Sequence, residues 1–133
     1  MNEPVFLTLD EAERIHARSL AEHGGSAGVR DLGLVDSAVA SARNTFYYGG
    51  GDLFDVAASY AFHLAESQAF LDGNKRTGVA SALVFLARNG VYAAPPQWES
   101  YLAMIAVAEK RMTKSALALI LRRAAGAADA TNT

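Results

Sequence analysis

Gln68-Ala69-Phe70-Leu71-Asp72-Gly73-Asn74-Lys75-Arg76-Thr77 lies between two apolar stretches of helical spacing. Its reading decides how the rest of the chain is placed. Upstream, Phe54, Ala57, Ala58, Ala61, Leu64 and Ala65 recur on one helix face, and Asp52 can cap that helix, read from about Leu53 to Ser67. Downstream, Val79, Leu83, Val84, Leu86 and Ala87, with small residues between them, predict a helix from about Asn74 to Arg88 that is buried on most sides. Asn89-Gly90 stops it. The stretch is therefore a loop held between two central helices.

Working outward, Thr8-Leu9-Asp10-Glu11 reads as a capping box that opens a first helix running to about Glu22. His16 and His23 on or beside it have no acidic or cysteine partner at metal-ligand spacing, and they read as solvated or capping side chains. Gly24-Gly25-Ser26-Ala27-Gly28 ends the helix in a flexible loop. Asp31 caps a second helix, roughly Leu32 to Ala42, and Arg43 to Gly51 reads as a loop whose Phe46-Tyr47-Tyr48 cluster could form a flap or pack on the bundle. After the turn at Pro95-Pro96 come a helix from Gln97 to Ala108 and another, capped by Thr113, to about Ala124. The expectation is an all-α fold of about six helices. A single domain would span residues 1–125, followed by an unstructured tail over 126–133.

Composition narrows the function classes. The 133 residues are 51% hydrophobic and 20% charged, ordinary values for a globular domain able to bury a core. The formal net charge of −2 argues against direct nucleic-acid binding. The absence of cysteine removes disulfide and thiolate chemistry. No apolar run approaches the roughly 18 to 20 residues that span a bilayer, and the N-terminus shows no signal-peptide pattern, so a cytoplasmic protein is expected.

The loop carries the chemistry. If the downstream helix begins at Gly73 or Asn74, the backbone N–H groups of Gly73, Asn74 and Lys75 project from a helix N-terminus and form an anion site with the helix dipole. Lys75 and Arg76 add positive charge at the end of the helix where the dipole disfavours it, which suggests a purpose other than helix stability. Asp72 stands next to that site and is suited to Mg²⁺ bridging to phosphate oxygens. Phe70 is expected to point into the core and pin the loop. A plainer reading fits the same residues: Asp72 as N-cap, Gly73 as turn, Lys75 and Arg76 as a solvated face. The stretch is not a P-loop, since no glycine-lysine pair occurs in the chain and no strand precedes it.

The stretch 68–77 resembles the signature loop of the Fic/Doc (Fido) family, and of its Doc, or death-on-curing, branch in particular. Phe6 to Glu11, Gly24 to Ala38, and Ala82 to Leu86 with Asn89-Gly90 resemble other blocks of that branch. The resemblance covers about residues 5 to 122. It implies an all-helical fold with the loop between two central helices and transfer of part of a nucleoside triphosphate to a protein hydroxyl. Most Fic members transfer AMP, with a glycine where this chain has Lys75 and an arginine where it has Val79. Doc-type members carry the lysine and transfer the γ-phosphate of ATP to elongation factor Tu, which stops translation. Carried over, Asp72 holds Mg²⁺, Gly73, Asn74, Lys75 and Thr77 bind the nucleotide phosphates, and Arg76 grips them. Gln68, Asp72 and Arg76 form the catalytic set. The resemblance also implies a cognate antitoxin. The inhibitory pattern that many Fic proteins carry needs a glutamate followed by Gly or Asn, and no such pair occurs here.

One departure stands out. The family places a histidine, its general base, where this chain has Gln68. A neutral amide can orient a hydroxyl but cannot usefully take its proton. General-base help is worth ~10²–10⁴ in rate, although phosphoryl transfer also runs on positioning and electrostatics. Glu66 and His63 are the nearest candidates for a replacement. His63 lies roughly 140° around the helix from Gln68 and reads as structural. Three functions stay open at this level: γ-phosphate transfer, AMP transfer, and a catalytically weak module that binds nucleotide and antitoxin.

Overall fold

The computed structural model describes residues 3–132, with side-chain surroundings as far as Gly126. These residues form six helices: α1 (Leu9–His23), α2 (Leu32–Tyr47), α3 (Leu53–Ser67), α4 (Asn74–Arg88), α5 (Gln97–Ala108) and α6 (Lys114–Asn132). Among the described residues there is no strand, only an isolated antiparallel bridge between Val29 and Phe70. The fold is all-α.

The local signals act as capping chemistry predicts. Thr8 and Glu11 close a capping box on α1, Asp31 caps α2, and Asp52 with Asp55 closes a second box on α3. Thr113 Oγ1 accepts the Ala116 N–H at the start of α6, and Asn89 ends α4.

α3 is the hub, packed against α2, α4, α5 and α6. Val56 through Ala61, Leu64 and Ala65 are all buried along it. Small residues let α4 approach closely: a Cβ on Gly78 would stand 2.8 Å from the Ala61 carbonyl oxygen. The lead-in before α1 is tied down at both ends. Tyr60 Oη accepts the buried Leu7 N–H at 2.9 Å, and the Asn89 side chain both accepts from and donates to the Val5 backbone.

Three boundaries differ from the sequence reading. α2 continues to Tyr47, so Phe46 and Tyr47 are helical. They pack on Phe6, with ring centroids 5.9 and 5.7 Å apart, rather than forming a flap. The Gly24–Gly28 segment is held in place by hydrogen bonds to the central loop instead of hanging free. α6 runs past Ala124 to Asn132, through the segment read as an unstructured tail, and Thr133 lies outside the described residues.

Candidate functional site

The loop between α3 and α4 is built from both sides. α3 ends at Gln68, whose φ of 51° and ψ of 45° are left-handed, a conformation rare for a side-chain-bearing residue. Arg30, from the α1–α2 connection, caps that end: Nε donates to the Gln68 carbonyl (2.8 Å) and Nη2 to the Ser67 carbonyl (3.0 Å). The Ala69 carbonyl accepts from both Arg30 and Asp31 N–H, and Leu71 N–H donates to the Gly28 carbonyl. The α1–α2 connection therefore runs alongside the loop as a backbone splint.

Phe70 anchors the centre, 1% exposed, as its position predicts. His16 of α1 lies flat on it, with ring centroids 3.8 Å apart and planes 9° from parallel, and its Nε2 donates to the Asp72 carbonyl at 2.8 Å. The reading of His16 as a solvated or capping side chain is thus corrected: it is 5% exposed and built into the loop. A signal was present. Ala12, His16 and Ser19 share one face at i, i+4, i+7 spacing, and that is the buried face of α1. His23, by contrast, is exposed.

Asp72 is exposed, and its carboxylate accepts Ser26 N–H at 3.1 Å and Gly73 N–H at 2.8 Å. Those two amides, with the Arg76 charge behind them, hold its carboxyl below the ordinary carboxylate range. Two oxygens accepting one N–H each leave lone pairs for a hard cation. The donor set there is a lone carboxylate, which suits an ion that keeps water and phosphate oxygens as its other ligands. Among the described residues no cluster of three or more His, Asp or Glu side chains could hold a metal alone.

Gly73 is the N-cap of α4 at φ 77°, a left-handed position that glycine takes without penalty. No side chain caps this helix. The amides of Asn74, Lys75 and Arg76, in its first turn, have no hydrogen-bond partner among the described residues. This is an open anion site at a helix N-terminus, with Lys75 and Arg76 exposed beside it. The Asn74 side chain has another task. Its Oδ1 accepts Phe70 N–H and its Nδ2 donates to the Phe70 carbonyl, both at 3.0 Å, so only its backbone is left to face a ligand.

Thr77, also expected at the nucleotide phosphates, is fully buried, and its Oγ1 has no hydrogen-bond partner among the described residues. As the fourth residue of α4, it sits past the open first turn and faces the core. Nor does His63 reach toward the loop. Its Nε2 meets Lys114 Nζ of α6 at 3.1 Å, and burial together with the Lys114 charge lowers its pKa to about 4. Gln68, Asp72, Gly73, Lys75 and Arg76 are brought together at one end of the helix pair. Beside them a groove of about 770 Å³ runs between α1, α4 and α5, with Lys75 and Arg76 among the residues that line it.

Residues 6–86, which include the loop and the α1–α2 connection beside it, match the model of the Fic/DOC family. The chain belongs to the Fic/Doc family. It is 46% identical over 87 residues to "Toxin Doc" of Mycolicibacterium smegmatis, covering 62% of this chain and 65% of that protein. It is 36% identical over 83 residues to "Protein kinase doc" of Escherichia phage P1, covering 62% of this chain and 66% of that one. The matched stretch thus spans just under two thirds of each relative's own length. Within the described residues no helix is long and apolar enough to cross a membrane.

Proposed function

We propose that this Fic/Doc protein is a Doc-like toxin that transfers the γ-phosphate of ATP to a hydroxyl of a translation factor of the elongation factor Tu type, in the cytoplasm. The observation that carries this reading is the uncapped N-terminus of α4 beside Asp72, with Lys75 and Arg76 in its first turn. The names of the two relatives support it.

In this reading the free amides of Asn74, Lys75 and Arg76 cradle the phosphates, Gly73 lets them approach the backbone closely, Arg76 grips them in a fork, and Lys75 supplies a point charge. Asp72 holds Mg²⁺, which neutralises phosphate charge when bound. The target hydroxyl oxygen forms its bond to the γ-phosphorus as the bond to the β–γ bridging oxygen breaks, and ADP leaves. Gln68 orients that hydroxyl. Because an amide does not take the proton, the proton passes to a phosphoryl oxygen or to water. A transition state stabilised by positioning and electrostatics tolerates this at reduced rate.

Gln68 also favours a second reading, a nucleotide-binding module with little transfer of its own. In both readings a cognate antitoxin segment occupies the groove between α1, α4 and α5, covering Lys75 and Arg76.

Incubation with a cell lysate and either γ-labelled or α-labelled ATP separates the outcomes. Protein label from the γ position alone supports phosphate transfer; label from the α position means AMP transfer. No label, together with measurable ATP binding, supports the module, and a host that grows normally while expressing the chain alone argues against a toxin.

A further inference from the structure

We infer that His16 is a positioning residue for the anion site: through the Asp72 carbonyl it sets the orientation of the Asp72–Gly73 peptide and so keeps the amide edge of α4 open to a phosphate. The inference rests on the reading of that edge as a phosphate site.

The argument begins with burial. His16 is 5% exposed on the inner face of α1, and a buried imidazole without a hydrogen-bond partner is costly. Its partner is the Asp72 carbonyl, 2.8 Å from Nε2. A carbonyl oxygen only accepts, so the proton sits on Nε2. The ring is held in its plane by Phe70, with the centroids 3.8 Å apart and the planes 9° from parallel.

The consequence follows from peptide geometry. In a trans peptide the C=O and N–H point in opposite directions. With the Asp72 carbonyl drawn toward α1, the Gly73 N–H must point away from it. It does so, donating to Asp72 Oδ1 at 2.8 Å. A flipped peptide would place the Asp72 carbonyl at the open first turn and repel an anion. Gly73, at φ 77°, has no Cβ of its own to oppose such a flip. The lock must therefore come from residue 72, and His16 supplies it. His16 need not touch the ligand; it acts through Asp72.

Two substitutions separate the stack from the hydrogen bond. His16→Phe keeps a ring on Phe70 and loses the donor. His16→Gln loses the ring and places an amide nitrogen near the position of Nε2. Affinity for inorganic phosphate and for ATP is measured on each protein, and the Gly73 amide resonance is followed by NMR. The expected result is roughly tenfold weaker phosphate and ATP binding for His16→Phe, the scale of one lost hydrogen bond, with His16→Gln close to the parent. Gly73 should shift in the Phe variant and stay in place in the Gln variant. Equal affinity of the parent and His16→Phe overturns the proposal, as does a loss in both variants, which would mean that packing alone matters.

If the parent binds neither phosphate nor ATP, the phosphate reading falls, and the Gly73 resonance alone decides whether His16 sets the peptide. If His16→Phe does not fold, imidazole nitrogen shifts of the parent decide: a proton on Nε2 supports the lock, and an Nδ1–H tautomer overturns it.

Discussion

Asn74 clasps the backbone of Phe70 with both ends of its amide, Oδ1 accepting from the N–H and Nδ2 donating to the carbonyl, each at 3.0 Å. The first residue of α4 thus closes the loop that precedes it. The most deeply buried ring of the loop and the first free amides of the helix are held as one rigid piece. An aspartate could copy only the accepting half of this clasp, and an alanine neither.

Asn74→Ala should therefore lower stability by about 1–2 kcal/mol, because two part-buried backbone groups of Phe70 lose their partner. Denaturant unfolding reads the loss, and ATP titration should show weaker binding as the loop loosens. Unchanged stability would mean that water replaces the clasp at no cost.

Gly78 faces Ala61 across the α3–α4 contact, and its missing Cβ is a requirement of that contact. A methyl group there would stand 2.8 Å from the Ala61 carbonyl oxygen, a backbone atom that cannot move aside alone. Gly78→Ala gains helix propensity but must push α4 off α3. The expected net cost is about 1–3 kcal/mol, seen as a lower denaturation midpoint with an unchanged slope. A rise in midpoint would show that the two helices separate freely.

The helices and the site differ in how far the sequence discloses them. Caps and periodicity are local, so Thr8 with Glu11, Asp31, Asp52 and Asn89 mark helix ends that the fold keeps. The motif residues Asp72, Gly73, Lys75 and Arg76 are contiguous, and one helix start brings them together. What stayed hidden depends on contacts between distant segments. α2 runs on to Tyr47, where Phe46 and Tyr47 pack against Phe6 from the distant lead-in. The glycine-rich connection after α1 is pinned by Asp72 and Leu71. Thr77 sits inside the motif, yet the helical turn carries it inward, where a linear reading counts it with its neighbours.

His63 gives a pH dependence with a definite sign. Burial, with Lys114 adding to it, lowers its pKa from 6.5 to about 4. Between those values the unfolded chain takes up a proton that the folded chain refuses, so the unfolded state binds more protons and stability rises with pH. His63 should thus favour unfolding progressively as pH falls from about 6.5 toward 4, and contribute nothing further below that. His63→Gln, which cannot charge, should flatten this part of the stability curve. Thermal unfolding at pH 5 and pH 7.5 checks it: the parent should lose more on acidification than the variant does. An equal loss would place the acid sensitivity elsewhere.

Gln68 holds its left-handed backbone against a steric penalty of about 1–2 kcal/mol for a residue with a Cβ. Arg30 keeps it there by donating to the Ser67 and Gln68 carbonyls. Gln68→Gly removes the penalty but gives the unfolded chain more freedom, so the net gain should be smaller, about 0.5–1 kcal/mol, and visible as a higher melting temperature. Gln68→His should leave stability near that of the parent, since histidine is among the residue types enriched in this region. The same substitution restores a proton acceptor at the reacting end of the loop, so label transfer from γ-labelled ATP should rise by ~10²–10⁴ if the rest of the site is in working order. A more stable Gly variant with an active His variant would show that position 68 is set by chemistry rather than by folding. A His variant that binds ATP but transfers no more label than the parent would show that the missing base is not what limits this site.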